Sequence, residues 1–187
     1  MEAVNPDAQA AQDSVTLLLR HCGEDPGREG LIDTPKRYVK FLHEFTHPAP
    51  FKFTTFTNEG GDDMIVQTGI PFYSLCEHHL APFFGMASVA YLPKKRIVGL
   101  SKLARCVDYH ARHLQNQERI TFQVAETLRD VLATDGIAVV LKARHLCMEM
   151  RGVRKPGTHT ITSRLKGSFF DNPATRQELF DHLALHG

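Results

Sequence analysis

Two short stretches of this chain carry side chains able to hold a metal ion. Cys76-Glu77-His78-His79 puts a thiol and two imidazoles within four residues, and His145-Leu146-Cys147 adds one more of each. Thiolate is a soft ligand and imidazole a borderline one, a combination that suits zinc. Cys76 and His79 can face one ion from a turn, and Cys147 adds a third ligand if the two segments are neighbours in the fold. Three protein ligands leave the fourth position for water, the open pattern of a catalytic site. A fourth ligand from His78 or His145 would instead close the tetrahedron around a structural ion. Histidines left off the metal stand within a residue or two of a ligand. They are then placed to give and take protons near neutral pH, or to hydrogen-bond a ligand into position.

Charge is unevenly spread around these stretches. Lys142 to Lys166 contains seven Lys/Arg and one Glu, and Lys94 to Arg105 holds five basic residues and no acid, within a chain whose net charge is only +1. Clustered cations beside a metal suit a small polyanion, Arg offering forked hydrogen bonds to phosphate oxygens. Lys94-Lys95-Arg96, in a turn, reads as an ordinary solvated run. Gln115-Asn116-Gln117-Glu118-Arg119 opens a helix with amides and a carboxylate. Glu118 there complements the helix dipole. Beside a phosphate site its carboxylate could also accept two hydrogen bonds from the N–H and amino groups on one edge of guanine, a donor pair adenine lacks.

The elements that must position these residues follow from periodicity. Val15, Leu18, Leu19 and Cys22 give one apolar helical face, so a helix is expected over about 8–22, after a loose start over 1–8. Asp33-Thr34-Pro35 caps a second helix carrying Tyr38, Phe41, Leu42 and Phe45, ended by Pro48 and Pro50. Strands are expected over 64–72 and 85–92, with the stretch 73–84 between them too polar at its centre for core. Two helices, 101–113 and 115–133, follow. The second carries Ile120, Val124, Leu128 and Val131/Leu132 on one face, and Thr134-Asp135-Gly136 breaks it. Strands over 137–141 and 158–165 flank a turn at Lys155-Pro156-Gly157, and a helix over 173–183 ends the chain. This order describes an α+β fold with a mainly antiparallel sheet, as an N-terminal helical segment over 1–50 and one globular unit over 51–187.

Composition narrows the function. With 187 residues and 42% hydrophobic content a sizeable core is possible. The near balance of 22 basic and 21 acidic residues argues against a surface that is wholly a nucleic-acid or membrane footprint. No apolar run approaches the roughly 18 residues of a membrane span, and the start lacks the features of a signal peptide. Four scattered cysteines without a secretion signal are expected to be reduced thiols in the cytoplasm. Cys22 and Cys106 read as buried hydrophobic thiols. There is no Walker-type glycine loop.

Taken together, Ser74-Leu75-Cys76-Glu77-His78-His79, Gly99 to Arg105, Gln115 to Arg119, His145-Leu146-Cys147 and Met150 to Lys155 resemble the GTP cyclohydrolase I family in order and spacing. The resemblance implies a zinc enzyme that hydrolyses GTP at guanine C8 to formate and 7,8-dihydroneopterin triphosphate, the first step of tetrahydrofolate and pterin biosynthesis. Cys76, His79 and Cys147 would hold zinc, and His78 and His145 would shuttle protons with Ser101 near the sugar. Glu118, helped by Gln117, would hold the guanine edge, and Lys102, Arg105, Arg151 and Arg37 would hold the triphosphate. The family's tunnelling fold is a four-stranded antiparallel sheet with a helix pair between its second and third strands. Its subunits form a decamer whose active sites are shared between neighbours. His113, His159 and Arg164 depart from the family pattern, which usually has Arg, Lys and a small residue there; these changes bear on the phosphate side and the subunit interface.

Overall fold

The computed structural model describes residues 6–134 and 136–185. The expected loose start lies largely outside them, as does the Asp135 of the helix-breaking turn. Residues through His47 and those from Pro48 onward form two compact units.

The first unit is a pair of helices, α1 (Pro6–His21) and α2 (Thr34–Thr46). Pro35 opens α2 as expected, but the Asp33 side chain makes no cap hydrogen bond. Its carboxylate instead takes Arg37 Nη2 at 3.0 Å, one turn along the helix. Cys22, expected to be buried, is exposed.

The second unit runs β1 (Thr55–Thr57), β2 (Ile65–Cys76), β3 (Pro82–Tyr91), β4 (Arg96–Val98), α3 (Leu100–Ala111), β5 (Leu114–Gln115), α4 (Gln117–Leu132), β6 (Ile137–His145), α5 (Leu146–Glu149), β7 (Thr160–Lys166), α6 (Ser168–Asp171) and α7 (Pro173–Ala184). β2, β3, β6 and β7 are successive antiparallel neighbours, and α3 and α4 lie between the second and third of them. That is the tunnelling arrangement, with the two-residue β5 added in parallel beside β2. β1 and β4 form a separate two-stranded ribbon.

Alternation of side chains along the strands sends Phe72, Phe83, Ala87, Val89, Val139 and Leu141 to one face of the sheet. There they pack on Leu103, Cys106 and Val107 of α3 and on Ile120, Val124 and Leu128 of α4. Burying each large member contributes about 1.5–3 kcal/mol. Ala90 and Ala138 form a smaller cluster with Phe169 and Leu179, from α6 and α7.

The first two expected strands are shorter than the observed β2 and β3, which continue into the polar separator. Ser74 can be fully buried there because its Oγ donates to the Ala111 carbonyl at 2.6 Å, tying β2 to the end of α3.

His110 joins the two long helices, its Nε2 lying 2.9 Å from Thr127 Oγ1. Burial, and then the neighbouring charge of His113, push its pKa down to about 4 from 6.5. The imidazole is neutral in both folded and unfolded chains above pH 6.5. Between that pH and about 4 the unfolded chain takes up a proton that the folded one refuses, so stability falls through this window on acidification. The expected loss is up to about 2 kcal/mol after allowance for partial exposure. Urea unfolding at pH 7 and pH 4.5 should show a smaller drop for His110→Gln than for the unsubstituted chain; equal drops would remove His110 as the cause.

Candidate active site

Cys76 is the last residue of β2, and a tight turn follows it. The Cys76 amide donates to the Ala81 carbonyl at 2.9 Å, and the Cys76 carbonyl accepts from the amides of Leu80 at 2.8 Å and His79 at 3.3 Å. Closing the turn so tightly puts Leu80 at φ 52°, a left-handed conformation that costs a branched residue about 1–2 kcal/mol. Leu80 carried no signal for this, since glycine or asparagine is the usual occupant of such a position.

Register brings the second segment alongside. Leu75 pairs with Pro82 in the hairpin, and Phe83 pairs with His145 on the next strand. β6 therefore ends beside the start of β3, and α5 folds Cys147 back towards the turn. The Cys76, His79 and Cys147 ligand atoms all lie within 4.8 Å of one another. Cys76 Sγ is 3.8 Å from His79 Nδ1. Tetrahedral zinc with ordinary bond lengths separates S and N ligands by about 3.5 Å, so the donor set fits that ion in chemistry and in spacing. Burial, and then the Cys76 sulfur, raise the Cys147 thiol. A divalent cation between the sulfurs would reverse both effects.

The other two histidines differ in setting. His78 is largely exposed, with Nδ1 3.6 Å from Cys76 Sγ and Nε2 3.9 Å from Glu77 Oε1. His145 is half-buried, its ring stacked on Phe83 with centroids 4.6 Å apart and planes 7° from parallel. Its Nε2 lies 2.9 Å from Gln117 Oε1. Burial lowers its pKa, and the carboxylates of Glu118 and then Glu149 pull the other way.

The start of α4 reaches this place through β5, a strand too short for any periodicity to reveal. Gln115 pairs with Cys76, and the Glu77 amide donates to the Gln115 carbonyl at 3.0 Å. Asn116 caps α4 by accepting the Arg119 amide at 2.8 Å while its own Nδ2 donates to Glu77 Oε1 at 3.2 Å. Arg119 grips Glu77 with both terminal nitrogens, at 2.7 and 3.1 Å. Those hydrogen bonds hold the Glu77 carboxyl below its ordinary range. Glu77 and Arg119, which had no assigned part, thus lock the turn that carries Cys76 and His79 to the helix that carries Gln117 and Glu118.

Glu118 is exposed in the first turn of α4 and lines an open cavity of about 250 Å³ with Thr121, Phe122, Thr162, Ser163 and Arg164. Arg164, one of the unusual positions, lies over the Phe122 ring at 5.2 Å and pairs with Glu126 at 3.5 Å. Gln117 is buried, with its amide directed inward rather than to the surface. Arg151 is exposed, and its charge acts on Cys147. Ser101, Lys102 and Arg105 lie on the first turns of α3, and Arg37 lies in the first unit. His113 stands against the Tyr109 ring, and His159 borders a surface cavity with Phe84, Met86, Lys142 and Arg144.

A family model described as GTP cyclohydrolase I matches residues 11–184. The chain is 47% identical over 181 residues to GTP cyclohydrolase 1 of Sulfurihydrogenibium sp. (strain YO3AOP1), covering 96% of this chain and 97% of that one. It is 47% identical over 181 residues to GTP cyclohydrolase 1 of Brevibacillus brevis, covering 94% and 97%. With GTP cyclohydrolase 1 of Streptococcus suis (strain 05ZYH33) it shares 45% over 173 residues, covering 90% and 92%. A match across nearly the whole length, joined to a Cys, His and Cys cluster beside an acidic helix start, places the chain in the GTP cyclohydrolase I family.

Proposed function

We propose that this protein is a zinc-dependent GTP cyclohydrolase I, hydrolysing GTP at guanine C8 to give formate and 7,8-dihydroneopterin triphosphate. The observation that carries this reading is the convergence of Cys76, His79 and Cys147 at the end of the helix bearing Glu118. When bound, zinc supplies Lewis-acid chemistry that makes hydroxide available near neutral pH.

The chain's own residues do the rest. Glu118 accepts hydrogen bonds from guanine N1–H and the 2-amino group, which fixes the ring and excludes adenine. His145 and His78 hold and pass protons as the imidazole ring of the substrate opens and formate departs. Ser101 approaches the ribose, which rearranges and recloses on the pyrimidine. Lys102, Arg105 and Arg151, with Arg37, bind the triphosphate through charge-assisted hydrogen bonds. The protein works in the cytoplasm as a homo-oligomer, a decamer with active sites shared between neighbours. Assembly is supported by β7, an open sheet edge bearing the exposed Ile161, and by the exposed Tyr73, Met86 and Phe122.

Zinc-loaded protein incubated with GTP is expected to release formate together with a pterin that fluoresces after oxidation; no formate would overturn the reading. Glu118→Ala should lower kcat/KM for GTP by at least about 100-fold, the loss of two hydrogen bonds to a charged acceptor.

A further inference from the structure

The amide of Gln117 has only one orientation compatible with its neighbours. One end faces the Leu141 carbonyl at 3.1 Å and the Thr160 carbonyl at 3.1 Å. Backbone carbonyls only accept, so that end is the NH2 group. Its third neighbour, Thr162 Oγ1 at 3.0 Å, is consistent with this. Thr121 Oγ1 donates to the backbone carbonyl of Gln117 at 2.8 Å and lies 2.7 Å from Thr162 Oγ1. With its one proton spent on that carbonyl, Thr121 must accept from Thr162. The Thr162 oxygen is thereby left to accept from Gln117, whose two N–H bonds are shared among these three acceptors.

The other end of the amide is therefore an oxygen, which can only accept, and it lies 2.9 Å from His145 Nε2. The imidazole must donate there. In the neutral ring that leaves Nδ1 as the unprotonated nitrogen, and Nδ1 makes no hydrogen bond among the described residues. Phe83, stacked flat against the ring, holds its plane.

We propose that Gln117 is a positioning residue that sets the tautomer of His145, placing the proton on Nε2 and presenting Nδ1 as the basic nitrogen for proton transfer. The consequence for catalysis rests on the proposed function; the tautomer itself does not.

Two measurements separate them. In zinc-loaded, full-length protein labelled with 15N-histidine, at a pH well above the ordinary imidazole range, long-range 1H–15N correlations should show His145 with protonated Nε2 and bare Nδ1. The resonance is assigned by its loss in His145→Gln. A bare Nε2, or an even mixture of tautomers, overturns the proposal whether or not GTP is turned over. In Gln117→Met the single tautomer should be lost, with kcat falling about 10–100-fold while zinc content and KM for GTP stay unchanged. A raised KM with unchanged kcat would instead make Gln117 a guanine contact. If Gln117→Met does not fold, the correlation spectrum of the unsubstituted protein still decides the question.

Discussion

Cys147→Ser is expected to lose bound zinc and turnover together, with activity down by at least about 1000-fold. The hydroxyl is smaller than the thiol and is not ionised near neutral pH, whereas the thiol becomes an anionic ligand once a metal competes for its proton. Among the described residues, Cys147 is one of three side chains whose ligand atoms all lie within 4.8 Å of one another, and it supplies one of the two sulfurs of that set. The fold should survive the change, since Cys147 is only half-buried at the rim of the core and the serine removes little packing. Metal content per chain, read beside formate release and far-ultraviolet circular dichroism, tests this. Normal zinc with normal turnover would strike Cys147 from the ligand set, while loss of the circular dichroism signal would make the effect one of folding.

Gly85→Ala is expected to destabilise the chain by about 3 kcal/mol or more. A Cβ at this position would overlap the Lys142 carbonyl oxygen and meet the Ala143 Cα at 2.6 Å. Both are backbone atoms of β6, so no side-chain rotation relieves the overlap and the strands must part. Gly85 is directly opposite Ala143, two residues along from the Phe83 and His145 pair. Separation there would draw His145 and Cys147 away from the ligand turn as well. Thermal unfolding should show a melting temperature lower by about 10 °C, accompanied by weaker zinc retention. An unchanged melting temperature would mean that the sheet shears to admit the methyl group.

What could be read from the residues divides along physical lines. The convergence of Cys76, His79 and Cys147 was legible because sulfur and imidazole have few uses together, and the amphipathic face of α4 was legible because period 3.6 is a local property. The extent of β2 was not, because Ser74 looks polar in sequence and becomes a core residue only when the Ala111 carbonyl, from another element, receives its proton. β5 carries no pattern in two residues; its pairing with Leu75 and Cys76 is a product of packing. Gln117 was placed at the guanine edge, as a helper of Glu118, by the family resemblance. Its inward amide depends on acceptors from β6 and β7 that no local reading brings together. Asp33 likewise had two partners open to it, the helix amides and Arg37, and took the cation.

The hairpin turn supplies Cys76 and His79 from neighbouring positions, while Cys147 comes from the far side of β3, the helix pair and β6. The first two could meet in a short peptide. The third arrives only after β6 has zipped against β3, a contact of long sequence separation and correspondingly slow closure. An unfolded or half-folded chain therefore lacks the third member of this set beside the first two, and a ligand that prefers the folded state stabilises it by mass action. Metal capture at these three residues would act as a proofreading event, rewarding a sheet that has registered correctly and ignoring one that has not.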